Sequence, residues 1–135
     1  IILEQAMENF IHSEIFNYKS YDIKDFDLSF ARGLSLEDGA ATLTEFTVNI
    51  ISQKIGNYTN ILCGGGRKNN FLIDRLKIKS NSKFKNIDEI GFNGDFIESQ
   101  AFAYLAVRSF LNLPISFPKT TGCSKPCVGG EIIKI

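Results

Sequence analysis

The chain has 135 residues, which is enough for one domain with a hydrophobic core. Its 15 Lys and Arg residues balance its 15 Asp and Glu residues, so the charge indicates no nucleic-acid partner and no acidic lipid partner. No apolar run approaches the roughly 20 residues that a membrane-spanning helix needs, and no signal-sequence pattern is present, so we expect no membrane partner.

Three cysteines, Cys63, Cys123 and Cys127, indicate a reducing compartment, because an odd count does not build a disulfide framework. Cys123 and Cys127 are four residues apart, but no second Cys/His pair completes a zinc site, and His12 is the one histidine. The sequence therefore predicts a cytoplasmic protein with no metal site of its own.

The first half of the chain predicts two helices separated by a loop. Residues 1 to about 17 have apolar residues at helical spacing, whereas residues 18–33 have no sustained period and predict an ordered loop. Ser35 and Asp38 form a capping-box pattern that opens a second helix, and Gly56 is a suitable stop for it. Because the chain opens on Ile1 inside a helical pattern, we expect either that it is a piece of a longer protein or that residues before Ile1 are disordered.

The second half predicts an α/β arrangement. Residues 60–63 predict a short strand, Asn69 or Asn70 caps a helix to about residue 79, and residues 83–87 predict a second strand. A turn at residues 91–94 precedes a helix opened by a second capping-box pattern, Asp95 and Glu98. This helix is apolar on most sides, so we expect it to be largely buried. Residues 131–135 predict a final short strand after a turn-rich tail.

This element order predicts the α/β class, with a small, mostly parallel sheet packed by helices. Two or three strands are few for this much helix, which is a second indication that part of the domain lies outside the chain.

Gly64, Gly65 and Gly66 lie between the predicted strand and the next helix, where α/β folds often bind phosphates or nucleotides. The match to named motifs is poor, because Lys68-Asn69 does not supply the Lys-Ser/Thr pair of a P-loop, and a dinucleotide fingerprint needs Gly or Ala at Asn69. A tight strand-to-helix turn with left-handed glycines is the alternative interpretation, and spacing alone leaves both open.

Several motifs in series resemble the anhydro-N-acetylmuramic acid kinase family. The segments "ILCGGGRKNNFLIDRL", "GDFIESQAFAYLAVRSFLNLP" and "TTGCSKPCVGG" occur in the order and spacing of that family, and "FARGLSLEDGAATLTEFT" resembles the helix that precedes them. The resemblance covers roughly residues 3–135.

The resemblance implies a place in the actin/hexokinase/Hsp70-like ATPase superfamily and hence a partial ribonuclease H-like lobe. The family uses ATP and Mg²⁺ to convert 1,6-anhydro-N-acetylmuramic acid to N-acetylmuramic acid 6-phosphate, with hydrolytic opening of the anhydro ring, in peptidoglycan recycling. The resemblance also suggests a homodimer. The family's catalytic aspartate, in an Asp-Thr-Gly-Pro-Gly-Asn motif, and its phosphate-binding loop have no match here. Residues 1–135 would thus be one domain, the C-terminal part of the second lobe, and inactive alone.

The resemblance assigns Gly64, Gly65 and Gly66 to a turn beside the adenosine of the nucleotide. Asn69 is predicted either to reach that nucleotide or only to cap the following helix. Mg²⁺ and the transferred phosphate would be bound mainly by the part outside this chain.

Glu98 matches a family glutamate that resembles a sugar-pocket residue, whereas the capping box with Asp95 is its alternative role. Arg67 and Lys68 differ from the small residue and His that are usual in the family, so we expect them on a solvated turn. Thr120, Thr121 and Gly122 match a turn that we expect to be structural.

Two further functions stay open from the sequence. One is another sugar or metabolite kinase of the same superfamily, and the other is a non-catalytic nucleotide-binding module.

Overall fold

A computed structural model describes residues 1–18 and 20–133 of the chain. The elements are α1 (Ile2–Ile11), α2 (Leu36–Lys54), β1 (Thr59–Leu62), α3 (Asn70–Ser80), β2 (Lys83–Asn86), α4 (Ile97–Phe110) and α5 (Pro118–Thr121). β1 and β2 are parallel and α3 connects them, with Thr59 opposite Lys83 and Leu62 opposite Asn86. The predicted α/β class with a small parallel sheet is confirmed, and both strands lie within one residue of their predicted bounds.

Helix α2 carries residues of both hydrophobic clusters of the fold. It begins as predicted at Ser35, whose Oγ accepts a hydrogen bond from the backbone N–H of Asp38 at 3.0 Å. One cluster packs α2 against α1, and the other packs it against α3 and the sheet. Their buried members are Ala6, Phe10, Phe46 and Ile50 in the first, and Val48, Ile73 and Leu76 in the second.

Helix α1 is shorter than predicted, because it ends at Ile11 rather than near residue 17. Ser13 Oγ donates to the Phe10 carbonyl at 2.6 Å, and this side-chain bond competes with continuation of the helical ladder. The chain then turns through a 3-10 helix, Glu14–Asn17, which places Phe16 edge-on to Phe10 at a ring-centroid distance of 5.9 Å. The helical spacing of apolar residues continues past Ile11 because Ile15 and Phe16 of this 3-10 helix pack against the cluster that contains Phe10.

The predicted loop at residues 18–33 is confirmed over its described residues, which contain only the short 3-10 turns Ile23–Asp25 and Ser29–Ala31. Tyr21 and Phe26 pack on Phe10 with ring centroids 5.7 Å and 5.6 Å away. The loop is therefore ordered by aromatic contacts.

Helix α4 differs most from expectation. It was expected to be largely buried, but it has no buried residue, and Phe102 and Phe110 are 66% and 72% exposed. It begins at Ile97, and its N-cap is Phe96 without a side-chain cap, so the predicted capping box of Asp95 and Glu98 is wrong. The apolar pattern correctly predicted a helix, but no other described element covers the apolar side chains of α4.

The tail folds locally beside α4. Thr120 and Thr121 belong to the short helix α5, and Gly122 ends it with φ +77°, so the predicted turn is part of a helix end. Residues 131–133 form no strand, and residues 134–135 of the predicted final strand lie outside the described part. Within the described residues, no helix is both long enough and apolar enough to cross a membrane.

Candidate functional site: the glycine turn and the start of α4

The glycine turn, Gly64 to Lys68, joins the end of β1 to α3. Gly64 has φ +73° and ψ −178°, a conformation that is essentially restricted to glycine. A 3-10 turn, Gly65–Lys68, follows and delivers the chain to Asn69. The tight-turn interpretation therefore explains Gly64 well.

Gly65 and Gly66 are not explained by the turn, because neither has a positive φ. A Cβ atom at Gly65 would meet no heavy atom within 4 Å, and one at Gly66 would meet only Leu72 Cδ2, at an ordinary 3.9 Å. Neither the backbone nor the packing of the described residues requires glycine at these two positions.

Asn69 is the N-cap of α3. Its Oδ1 accepts a hydrogen bond from the backbone N–H of Leu72 at 3.1 Å. Its amino group donates no hydrogen bond within residues 1–18 and 20–133. The carbonyl oxygen thus has a structural role, and only the amino group remains for the predicted contact with a nucleotide.

Arg67 was expected on a solvated turn, and this is wrong, because its side chain is only 5% exposed. Nε lies 2.7 Å from Asp88 Oδ2, and Nη1 lies 2.7 Å from Asp95 Oδ1 and 2.9 Å from the Gly64 carbonyl. Lys68 is exposed as expected, but its Nζ lies 2.8 Å from Asp95 Oδ2. The glycine turn is thus tied to two carboxylates that precede α4.

The backbone makes the same connection. The Gly64 N–H donates to the Gly94 carbonyl at 3.0 Å, and the Gly94 N–H donates to Asp88 Oδ1 at 2.7 Å. A Cβ atom at Gly94 would lie 2.4 Å from Arg67 Nε, so the close packing of Arg67 requires glycine there. Residues 88–95 are therefore docked on the glycine turn, and the two regions that the sequence predicted to form a site are neighbours.

Glu98 lies in the first turn of α4 and is exposed. Its expected capping partner, Asp95, instead binds Arg67 and Lys68. The Glu98 carboxylate makes no hydrogen bond or ion pair with any described residue. It is therefore available to a ligand that reaches the start of α4.

The charges of this network are mutually stabilising. Hydrogen bonds from Arg67 and then Lys68 lower the pKa of Asp95 from 3.8 to about 2. Arg67 and then the Gly94 N–H lower the pKa of Asp88. Asp95, followed by Asp88, raises the pKa of Arg67. All three groups are charged at neutral pH.

No three His, Cys, Asp or Glu side chains converge into a metal-binding group within residues 1–18 and 20–133. The carboxylates beside the glycine turn are instead neutralised by Arg67 and Lys68.

We predict that acid weakens this network. Because the pKa of Asp95 is lowered on folding, its contribution to stability is present above about pH 4 and is lost as the pH falls toward about 2. Thermal melting of the wild-type chain should therefore shift downward more steeply over this range than that of Asp95→Asn. Asp74→Asn, in the exposed pair of Asp74 with Lys77, serves as the control and should keep the wild-type slope. Equal slopes for wild type and Asp95→Asn would contradict the prediction.

Comparison of the sequence with known proteins places the chain in a family. The family model described as anhydro-N-acetylmuramic acid kinase matches residues 12–134. A relative of that name from Pelagibacter ubique is 50% identical over 99% of this chain and 39% of its own length. Relatives of the same name from Zymomonas mobilis and Caulobacter vibrioides are each 42% identical, over 84% and 85% of this chain.

This chain spans only 33% and 32% of the lengths of the Zymomonas mobilis and Caulobacter vibrioides relatives. The family has an actin-like ATPase type of fold, which agrees with the small parallel sheet and its helices. Because the family model covers most of the sequence, the chain belongs to the anhydro-N-acetylmuramic acid kinase family.

Proposed function

We propose that residues 1–135 form one domain, the C-terminal part of the second lobe of a two-lobed sugar kinase. The complete enzyme would transfer phosphate from ATP to 1,6-anhydro-N-acetylmuramic acid and open its anhydro ring with water, giving N-acetylmuramic acid 6-phosphate for peptidoglycan recycling. One structural observation supports this proposal in addition to the family membership. The bond from Gly64 to Gly94 joins the glycine turn to the loop that leads into α4, and Glu98, whose carboxylate has no partner among the described residues, follows Gly94 by four residues in the first turn of that helix.

The nucleotide part of the proposal depends on the glycine turn. Gly65 and Gly66 present backbone without side chains, and no packing of the described residues accounts for them. We assign this surface, together with Gly64 and the Asn69 amino group, to the adenosine side of ATP. ATP supplies the transferred phosphoryl group. Mg²⁺ does not fit the described residues, which form no three-ligand group, so we assign it to the part of the kinase that this chain does not span.

The sugar part of the proposal depends on Glu98. An unpaired carboxylate accepts hydrogen bonds from sugar hydroxyls without first breaking an internal pair. Glu98 also lies in the first turn of α4, where the helix dipole favours a negative charge. Glu98 would orient the sugar, whereas the family resemblance assigns activation of the attacking water to an aspartate in sequence that the chain lacks.

The exposed helix α4 supports the proposal that the lobe is incomplete. Large apolar side chains that are more than half exposed follow one another along it: Phe102, Tyr104, Val107 and Phe110. Parallel sheets are normally covered on both faces, and here the sheet has only two strands. We expect the remainder of the kinase to cover this surface.

The homodimer and the cytoplasmic location also belong to the proposal. The first depends only on the family resemblance. The second is supported by three cysteines that are all unpaired in the structure.

The proposal is tested with the complete gene product, ATP, Mg²⁺ and 1,6-anhydro-N-acetylmuramic acid. We expect ADP release that depends on the sugar, with phosphate on O6 of the product. Glu98→Gln should lower turnover about 10- to 100-fold, as loss of one charge-assisted hydrogen bond does, while leaving the fold intact.

Glu37→Gln is the matched control, because Glu37 is an acidic residue in the first turn of α2 rather than α4, and it should leave turnover unchanged. Absence of ADP release from the wild-type protein would contradict the kinase proposal. Nucleotide binding without turnover would favour the non-catalytic module instead.

We also predict that two neighbouring glycines respond differently to substitution. Gly65→Ala should lower ATP affinity about tenfold or more, while the free energy of unfolding stays within about 1 kcal/mol of wild type. Gly64→Ala should lower the free energy of unfolding by about 1–3 kcal/mol, because alanine is strained at that backbone conformation. Calorimetric titration and denaturant unfolding measure the two quantities. Unchanged ATP affinity in Gly65→Ala would show that the turn does not approach the nucleotide.

A further inference from the structure

Arg67 connects two segments that are far apart in sequence. Its partners Asp88 and Asp95 lie 21 and 28 residues along the chain, after α3 and β2. Asp88 lies in a 3-10 turn, Ile87–Ile90, that Asn86 caps. Asp95 lies directly before α4, and its own N–H donates to Asn93 Oδ1 at 3.0 Å. The guanidinium therefore bonds both ends of the loop that leads into α4.

The geometry requires the shape of arginine. One side chain donates in three directions, to Asp88, to Asp95 and to the Gly64 carbonyl. A planar guanidinium presents such a fork, whereas a lysine ammonium is a single point that cannot reach all three acceptors in fixed positions. The absence of a side chain at Gly94 leaves the space that Arg67 occupies.

We propose that Arg67 is a positioning residue of the kinase reaction, which holds the first turn of α4, and with it Glu98, in place against the glycine turn. The inference rests on the proposed function of these two segments. Arg67 contacts neither substrate in this arrangement. It acts through Asp88 and Asp95, so that nucleotide bound at the glycine turn and sugar bound at Glu98 meet at a fixed separation.

A second arginine in the chain provides the matched control. Arg75 of α3 pairs with Glu45 of α2 through both Nε and Nη2, the latter 3.2 Å from Oε2. This pair also joins two elements, but it lies between helices and touches neither the glycine turn nor residues 88–95. A merely stabilising role for Arg67 predicts the same consequences for Arg67→Gln and Arg75→Gln.

Hydrogen exchange tests the inference independently of activity. In the complete gene product, Arg67→Gln should raise the exchange rates of the Gly64 and Gly94 amides about tenfold or more, because their acceptors belong to the network. Arg75→Gln should leave these two amides unchanged. Unchanged exchange in Arg67→Gln would overturn the inference. If Arg67→Gln does not fold, Arg67→Lys is measured instead. An equal rise in the exchange rates of all amides in Arg67→Lys would also overturn the inference.

A double-mutant cycle with Glu98 tests the link to catalysis. If Arg67 acts through Glu98, kcat of the Arg67→Gln/Glu98→Gln protein should lie within about twofold of kcat of Glu98→Gln alone. Arg67→Lys should give an intermediate kcat. Additive losses would overturn the positioning role. If the wild-type protein has no kinase activity, the proposed function fails, and the exchange rates alone decide whether Arg67 holds α4.

Discussion

The bonds of Arg67 to two carboxylates and one carbonyl hold the candidate site together. A guanidinium with so little exposure is stable only when it is paired and its donors are satisfied, and here Asp88, Asp95 and Gly64 do both. The same bonds settle two local features. They leave room only for glycine at position 94, and they take the carboxylate of Asp95 away from the helix cap.

The position of α4 depends on this polar network because the apolar contacts of the fold lie elsewhere. Both hydrophobic clusters of the described residues pack around α1, α2, α3 and the two strands. Helix α4 contributes no buried residue to either cluster. Asp95 attaches its start to the glycine turn, whereas near its end Arg108 Nε donates to the Pro114 carbonyl of the following tail at 2.7 Å. Helix α4 is therefore attached to the glycine turn by polar bonds and leaves its aromatic side chains exposed.

The sequence predicted those features that depend on neighbouring residues. The cap at Ser35 and the strand–turn–helix–strand order are local patterns, and the structure confirms them. The predicted length of α1 was wrong because Ser13 Oγ donates to the Phe10 carbonyl, and the spacing of apolar residues does not show this bond. The predictions of a solvated Arg67 and of a cap formed by Asp95 and Glu98 were wrong. The ion pairs that overrule them join residues 21 and 28 positions apart, and such pairs produce no periodic pattern in the sequence. The predicted roles of the glycines and Glu98 came mainly from family motifs, whereas no motif indicated the bonds by which Arg67 joins the glycine turn to Asp88 and Asp95.

The central claim is that this chain supplies the nucleotide-side turn and the sugar-side carboxylate of a working kinase. The most direct measurement replaces the matching 39% of the Pelagibacter ubique relative with this chain and follows ADP release with 1,6-anhydro-N-acetylmuramic acid. The account predicts that the hybrid turns over, whereas the relative without that segment does not. A folded hybrid that binds ATP but releases no ADP above background would contradict it.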